Sequence, residues 1–507
     1  MWRYKLDTKS IILGAIQLLQ LVATVIFMIS LINLNMLPAV LLVAVGVGAV
    51  IFFGLTTFLQ TRDGIKRYVG TALCLLISIF MIVASMSISK ADSTLSEISK
   101  PEEYVDKVVF VTRVDSDIES ITDIGETIVG AQYTQQSDLM LATEGKLWLE
   151  NNIEFNIKTY GTIIEQVLAL LNEEVDVIIY NSAYSDLFLE QMPDFNKQTK
   201  IVHTCDMTAS DVQKYKDVID LSLRNDYVPS ETEVTEPEEI PEISEPEYIP
   251  PENEDIFAVY MSGIDVYGSI TTNSRSDVNI IGIVNPNENK ILLVTTPRDT
   301  FVRIPGVSGN KKDKLTHAGI YGIDASMNTL SELYNVKLDY YVRVNFTSFE
   351  KVVDALGGIS VYSAYNFSAA GYSYQKGYND LNGKEALAFV RERYSFAAGD
   401  NQRGKNQQEA IKAIIKKACS PAILTAANDI LDSVRDNIDM NVPEELIQNM
   451  IKKQLADGKE WEIVTMALTG TGSSDEPYSM PGFNAYVMIP NENSIEEIRQ
   501  AISEMYE

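Results

Sequence analysis

Residues 257–299 read FAVYMSGIDVYGSITTNSRSDVNIIGIVNPNENKILLVTTPRD, and this stretch decides the fold. An apolar strand, Phe257–Met261, leads into Gly263-Ile264-Asp265. A loop rich in Ser, Thr and Gly follows. Ser274-Arg275-Ser276-Asp277 then opens a second strand, Val278–Val284. Asn285-Pro286-Asn287-Glu288-Asn289 is turn chemistry, and Lys290–Thr295 is a third strand that ends in Pro297-Arg298-Asp299. If the second and third strands pair as the hairpin this turn implies, the start of one lies beside the end of the other. Asp277 and Arg298 then meet at one sheet edge, and Asp265 reaches the same end.

Working downstream, arginines accumulate. Seven of the fourteen in the chain fall within residues 256–420. Asn382–Val390 has helical spacing and runs into Arg391-Glu392-Arg393. Two residues apart, Arg391 and Arg393 share a face only on an extended segment leaving that helix. Asp400-Asn401-Gln402-Arg403 precedes a helix over Lys405–Ala418, with Ile411, Ile414 and Ala418 on one stripe and Gln407 on the same stripe. A Gln on an inward face needs a hydrogen-bond partner, and a helix N-terminus favours an anion. Lys314 stands within reach of a phosphate, while His317 reads as a packed histidine.

Arginine forks hold phosphate oxygens with charge-assisted bonds, and paired carboxylates hold a hard divalent ion. Together they suit a diphosphate and phosphoryl transfer. Two acids also serve a glycosidase, but sugars carry no charge to match so many arginines. Taken one at a time, each Arg–Asp pair reads as an ordinary salt bridge.

These residues closely resemble the LytR-CpsA-Psr (LCP) family, strongly over residues 255–420 and more loosely to 507. The motifs are Gly263-Ile264-Asp265, Arg275-Ser276-Asp277, Pro297-Arg298-Asp299, Val353 to Gly358, Leu381 to Leu387, Val390 to Arg393 and Asp400 to Gln408. The layout resembles the capsule-biosynthesis (CpsA/Wzg) branch. Many members have Arg-Gln-Gln where this chain has Asn406-Gln407-Gln408. The resemblance implies an α/β/α domain with a central mixed sheet. It implies an enzyme that transfers a glycan phosphate from a polyprenyl-pyrophosphate carrier, its tail in an apolar cavity, to peptidoglycan. It assigns Mg²⁺ (or Mn²⁺) to Asp265 and Asp277. Arg275, Arg298, Arg391, Arg393, Arg403 and Gln407 surround the diphosphate, with Lys314 beside them, and Asp299 and Asp400 orient arginines. Asp277, Arg298, Arg391 and Arg393 form its catalytic set, and the general base stays open. Two other readings stand beside the transferase: a non-enzymatic scaffold or regulator of capsule biosynthesis that binds the lipid-linked precursor, and a polyprenyl-pyrophosphate pyrophosphatase.

Working upstream, residues 231–254 hold ten Glu, five Pro and no Lys or Arg. Such a segment cannot bury a core, so 226–254 reads as a linker. Residues 105–225 read as a small α/β accessory domain, with strands Val108–Val111 and Val175–Tyr180, a helix over Thr162–Leu171, and Ser182 as the cap of the next helix. Asp115 and Asp117 read as solvated loop acids.

The first 90 residues differ in kind. No charge occurs from Ser10 to Thr61, and a third uncharged run covers Tyr68–Ser89. Ile11–Ile32, Pro38–Phe58 and Tyr68–Ser89 make three transmembrane helices in a membrane region, 1–90. Arg3, Lys5 and Lys9 precede the first span and Arg62, Lys66 and Arg67 follow the second, while the first loop has none. This places the N-terminus in the cytoplasm of a bacterial cell and everything after about residue 90 outside a multi-pass membrane protein. The expected organisation is thus 1–90, 105–225, 226–254 and an LCP domain over 255–507. Its extra spans are suited to contact a capsule polymerase or kinase.

Charge supports this division. The 507 residues carry 41 Lys+Arg against 70 Asp+Glu, net −29. Residues 1–90 hold seven basic and two acidic side chains, net +5, leaving −34 for the rest. That balance argues against a nucleic-acid partner. With two histidines and three scattered cysteines, a His/Cys zinc site is not expected, and a Cys205–Cys419 bridge is not legible from spacing.

Overall fold

Three apolar helices open the chain: α1 (Thr8–Leu34), α2 (Ala39–Gln60) and α3 (Ile65–Ile98). The computed structural model describes all residues except 1–7, 101–102, 126, 134–135, 190–191, 220–254, 265–269, 398, 421–434 and 436–437, so the linker lies outside the described residues. Each helix is long and apolar enough to cross a membrane. Large apolar side chains such as Leu18, Val47, Phe52 and Phe80 point outward, while the polar ones gather between helices. Gln20 is buried, and its Oε1 accepts from Thr56 Oγ1 of α2 (2.8 Å) and Cys74 Sγ of α3 (2.9 Å). Polar bonds of this kind hold helices together where the solvent gives no hydrophobic drive. The third helix runs nine residues past Ser89, and Leu95 and Ile98 near its end are buried.

The next unit is a five-stranded sheet in the order β3-β2-β4-β1-β5. Its strands are β1 (Val105–Arg113), β2 (Ile128–Ala131), β3 (Asn156–Thr159), β4 (Val177–Asn181) and β5 (Thr199–Thr208). Strands β2, β3 and β4 are parallel, linked through α4 (Ser137–Asn151) and α5 (Ile163–Leu171), and β1 runs antiparallel to β4 and β5. A reciprocal cap starts α5: Thr162 Oγ1 accepts from the Glu165 N–H, and Glu165 Oε2 accepts from the Thr162 N–H. After β4 the cap is Asn181, not Ser182, because Asn181 Oδ1 takes the Ala183 N–H at 3.1 Å. Asp115 and Asp117 are exposed.

A six-stranded mixed sheet follows, ordered β10-β9-β6-β7-β8-β11. It consists of β6 (Phe257–Ile264), β7 (Ser276–Asn285), β8 (Lys290–Thr295), β9 (Tyr340–Asn345), β10 (Ile438–Met440) and β11 (Glu462–Ala467). The hairpin forms as its turn implies, with Asn285 opposite Lys290 and Ile280 opposite Thr295. The period of two along β7 feeds two layers. Ile281 and Ile283 face Leu330 of α6 (Ile323–Tyr334) and Ile498 of the C-terminal helix, Glu492–Tyr506. On the opposite face, Ile280 meets Ile411 and Ile415, which belong to the long helix Asp400–Ala418. Before that helix come α7 (Phe346–Ala355) and α8 (Gly383–Arg391), and we number it α9. The other face of α9, with Ala410, Ala413 and Ile414, packs against Val353, Leu387 and Phe389. The expected single stripe of Ile411, Ile414 and Ala418 is therefore split, because α9 is wedged between two apolar layers.

The two sheets are joined directly. The Val105 N–H donates to Thr271 O (3.0 Å), and Asp106 Oδ1 accepts from Asn181 Nδ2 (2.8 Å) and Asn273 Nδ2 (3.1 Å). Ile320, Met480 and Ala485 from the C-terminal unit are buried in one cluster with Val111, Tyr180 and Phe188. Arg343, 2% exposed, donates to Thr272 O (2.9 Å) and lies 5.0 Å over the Tyr104 ring, while Tyr104 and Tyr341 both donate to Asp439. Cys205 and Cys419 are free thiols.

Candidate functional site

Continuing the β7/β8 register three residues past Ile280 and Thr295 brings Asp277 opposite Arg298. The side chains meet there. Arg298 Nη1 donates to both carboxylate oxygens of Asp277, each at 3.0 Å, and Thr316 Oγ1 adds a bond to Oδ1 at 3.3 Å. Side-chain exposure is only 14% for Arg298 and 15% for Asp277, so this pair is shielded from water and salt. Burial by itself raises the Asp277 pKa. Attraction from Arg298 and then Arg275, the Arg298 hydrogen bond and Arg403 outweigh it, so the carboxyl sits below its ordinary range.

Asp277, Arg298, Arg403 and Gln407 line one cleft with Asn279, Thr295, Thr296 and Gly404. The helix α9 begins at Asp400, five residues earlier than its apolar pattern indicates, so Arg403 and Gln407 lie one turn apart on a single face. A Cβ at Gly404 would come 3.2 Å from Thr295 Cγ2, which shows how closely this turn approaches β8. Continuing by fours, the face turns from Arg403 and Gln407 to Ile411 and Ile415. Gln407 Nε2 donates to Val390 O at 3.5 Å, a long bond that ties α9 to the end of α8.

The remaining expected residues divide into three groups. Asp299 and Lys314 form a flank: Lys314 Nζ is 3.4 Å from Asp299 Oδ1, and Arg298 Nε is 3.8 Å from Asp299 Oδ2. Lys314 is buried there. Arg275 sits on the segment Ser274–Ser276, which presses against Gly319; a Cβ on Gly319 would meet Ser274 O at 2.6 Å. Arg391 is the last residue of α8 and the chain turns extended at Glu392, so of the two arginines only Arg393 lies beyond the helix. The Arg391 guanidinium stacks 3.9 Å over Phe346, and Arg393 Nη2 donates to Tyr394 Oη at 2.6 Å. Asp265 lies outside the described residues, as does the side chain of Asp400.

Two participants are not evident from sequence. Thr316 reaches Asp277 from the short helical turn Leu315–Ala318. Tyr394 is exposed, and its hydroxyl pKa is lowered by the Arg393 hydrogen bond and charge, then by Arg298 and Arg403. The signal for Tyr394 was its place beside Arg393; Thr316 had none. His317 is packed, with Nδ1 2.6 Å from Asp313 Oδ1 and 2.7 Å from Ser479 Oγ, all buried.

As a whole, three guanidinium groups act on one ionised carboxylate that borders a cleft. Such a site favours an anion with several oxygens. Among the described residues no group of three or more His, Cys, Asp or Glu side chains is placed to hold a metal.

The chain is 35% identical over 207 residues to the polyisoprenyl-teichoic acid–peptidoglycan teichoic acid transferase TagU of Oceanobacillus iheyensis, covering 39% of this chain and 63% of that protein. With TagU of Bacillus subtilis it shares 37% identity over 190 residues, covering 37% and 61%. It thus spans a little under two thirds of the length of these curated relatives. The crystal structure of B. subtilis TagU is 33% identical, over 50% of this chain and 98% of that one, with a TM-score of 0.40. A TagT structure with bound octaprenyl pyrophosphate lipid is 27% identical, over 50% and 91%, with a TM-score of 0.37. Residues 218–504, more than half of the sequence, match the LytR_cpsA_psr family, and the chain belongs to it.

Proposed function

We propose that the protein is a membrane-anchored phosphotransferase that attaches capsular polysaccharide from a polyprenyl-pyrophosphate carrier to peptidoglycan. The observation that carries this reading is the cleft in which Arg298, Arg403 and Gln407 gather beside the ionised Asp277, a setting that suits the oxygens of a diphosphate. The names of the TagU relatives, which specify a polyisoprenyl-linked donor and a peptidoglycan acceptor, support it.

In this reading Arg298, Arg275 and Arg403 hold the diphosphate oxygens, with Arg391 and Arg393 closing over it. A hydroxyl of a wall sugar attacks the phosphorus that bears the glycan. A new P–O bond forms to the acceptor, the bond to the bridging oxygen breaks, and polyprenyl phosphate leaves. The hydroxyl proton goes to a base that we leave unassigned. The arginines act by positioning and by stabilising charge that grows on the leaving phosphate. Asp277, ionised, and Asp265 are the carboxylates that would hold Mg²⁺, a hard ion suited to oxygen donors, which would supply further charge neutralisation. The helices α1–α3 anchor the enzyme with its C-terminal units outside the cell.

The test uses the full chain in membrane vesicles, with a lipid-diphosphate-linked oligosaccharide, Mg²⁺ and a soluble peptidoglycan fragment. Mass spectrometry should find a glycan–phosphate–peptidoglycan adduct that is lost with EDTA and with Arg298→Ala. Inorganic phosphate released without adduct would replace transfer with pyrophosphate hydrolysis. Lipid binding with neither product would replace it with a scaffold.

A further inference from the structure

Beyond the membrane helices, exposed tyrosines are concentrated in one place. Tyr362, Tyr365, Tyr378 and Tyr394 all fall within residues 362–394, and among the described residues Tyr486 is the other one. They belong to two short hairpins and to the segment after α8. One hairpin pairs Ile359–Ser363 with Gly377–Leu381, and the other pairs Phe367–Ala369 with Tyr372–Tyr374. In both, the period of two turns one face inward: Val361, Leu381, Phe367 and Tyr374 enter the buried cluster that holds Val353, Leu387 and Ala410. The other face is left to solvent. There Tyr362 stands directly opposite Tyr378, with the rings 5.5 Å apart and edge to face. Tyr378 is 74% exposed.

This face runs on toward the arginines. Tyr365 packs against Phe396, with ring centroids 5.9 Å apart. Ser395 Oγ donates to Ser368 O (3.4 Å), and the Ser368 and Ser373 hydroxyls meet at 3.1 Å across the second hairpin. Tyr394, 85% exposed, comes next, its hydroxyl accepting from Arg393. The end of α8, from which this segment leaves, is tied by Gln407 to the helix that lines the arginine cleft. An open shelf of rings and hydroxyls therefore leads from the cleft out over the hairpins. Charge sets it apart as well. Residues 359–382 carry only Lys376 and Asp380, an uncharged balance within a chain of net −29.

We propose that this tyrosine face binds a strand of wall glycan, the acceptor in the transferase reading. Its role as an acceptor site rests on that reading; its binding of glycan does not. Aromatic rings offer flat apolar surface at low entropic cost, which suits the C–H faces of pyranose rings. The serine hydroxyls beside them both donate and accept, as sugar hydroxyls require. A face without net charge matches an amino-sugar backbone and gives no electrostatic pull on nucleic acid or anionic lipid headgroups. Its openness selects the acceptor over the donor. A wall strand is attacked within its length and has to lie across a surface, whereas a donor glycan enters by its phosphorylated end.

Calorimetric titration of the full chain in detergent micelles with a soluble, peptide-free glycan fragment of peptidoglycan tests this. The double variant Tyr362→Leu/Tyr378→Leu keeps apolar bulk without rings, and its Kd should rise at least about fivefold, the effect of two lost aromatic contacts. The double phenylalanine variant should bind within about twofold of wild type. Tyr365→Leu, outside that hairpin, should weaken binding too, and keeps the test decisive if the double leucine variant misfolds. Arg298→Ala should bind the fragment as wild type does while losing the transfer adduct. Glycan held by the tyrosines without any adduct from wild type would remove the transferase reading and leave the glycan face standing. In vesicles, the emission added by Tyr378→Trp should escape quenching by brominated lipid chains. No binding by wild type, unchanged affinity in the folded leucine variants, lost affinity in Arg298→Ala, or lipid quenching at position 378 would each overturn the proposal.

Discussion

Asp277 and Arg298 show how a single contact can be deduced before it is seen. Hairpin pairing keeps the sum of partner numbers constant, so a five-residue turn was enough to place two side chains face to face. The sign of their coupling gives a prediction. The Asp277 pKa is depressed in the folded protein, so its contribution to stability is full above the unfolded aspartate pKa of about 3.9 and is lost as pH falls through the folded value. Arg298→Ala should cost roughly 3 kcal/mol at pH 7, since it strands a shielded carboxylate. In urea unfolding this gap from wild type should close between pH 5 and the acid limit; a gap independent of pH would refute the coupling. Thr316 was illegible because the short helical turn that carries it is brought to Asp277 from 39 residues away by tertiary contacts alone. The end of the helix near Arg391 was legible, but Arg391 still belongs to it, and the stacking of Arg391 on Phe346 was not legible.

At the scale of elements, the strands and capped helices followed from local rules, and the errors came where neighbours override them. Asn181 displaced Ser182 as a cap because its longer side chain reaches the Ala183 N–H. The start of α9 moved to Asp400 because its polar first turn gives no apolar period to read, although it carries Arg403. Gly319 is the element-level lever on the arginine cleft. Its φ of −63° is ordinary, so space alone requires glycine. An added methyl would lie 2.6 Å from Ser274 O and 2.8 Å from Ser276 N, both backbone atoms. Gly319→Ala should therefore destabilise by about 1–3 kcal/mol and displace Arg275. Thermal unfolding with the adduct assay checks this: lower stability together with reduced transfer is expected, and an unchanged variant would show that the segment yields freely.

For the whole molecule, membrane helices, linker composition and the arginine-rich unit were evident from charge and hydropathy, whereas the junction between the two sheets was not. Asp106 and Asn273 are 167 residues apart, and nothing local marks them as partners. Burial raises the Asp106 pKa, and the bonds from Asn273 and Asn181 offset it only in part. A raised carboxyl pKa means that stability falls as pH rises from the unfolded value through the folded one. Asp106→Asn keeps an acceptor for both amides without the charge, so its melting temperature should exceed wild type at pH 7 and converge with it below about pH 4. A lower melting temperature at pH 7 would show that the ionised form is the favoured one.

The long third helix has a further consequence, one of compass heading. Past Ser89, α3 continues without a break to Ile98, and Leu95 and Ile98 are buried where it ends. Where the units beyond α3 follow its end, the bearing of the arginine cleft shifts residue by residue, at about 100° each. Inserting one alanine after Ala91 would swing the cleft by about 100° while lifting it about 1.5 Å. Inserting seven would lift it about 10 Å yet return it to within about 20° of its original bearing. If the direction in which the cleft faces governs its meeting with a carrier confined to the membrane plane, the single insertion should reduce adduct formation in the transfer assay more than the sevenfold one. Loss that simply grows with insert length would mean that height, and not bearing, is what the helix sets.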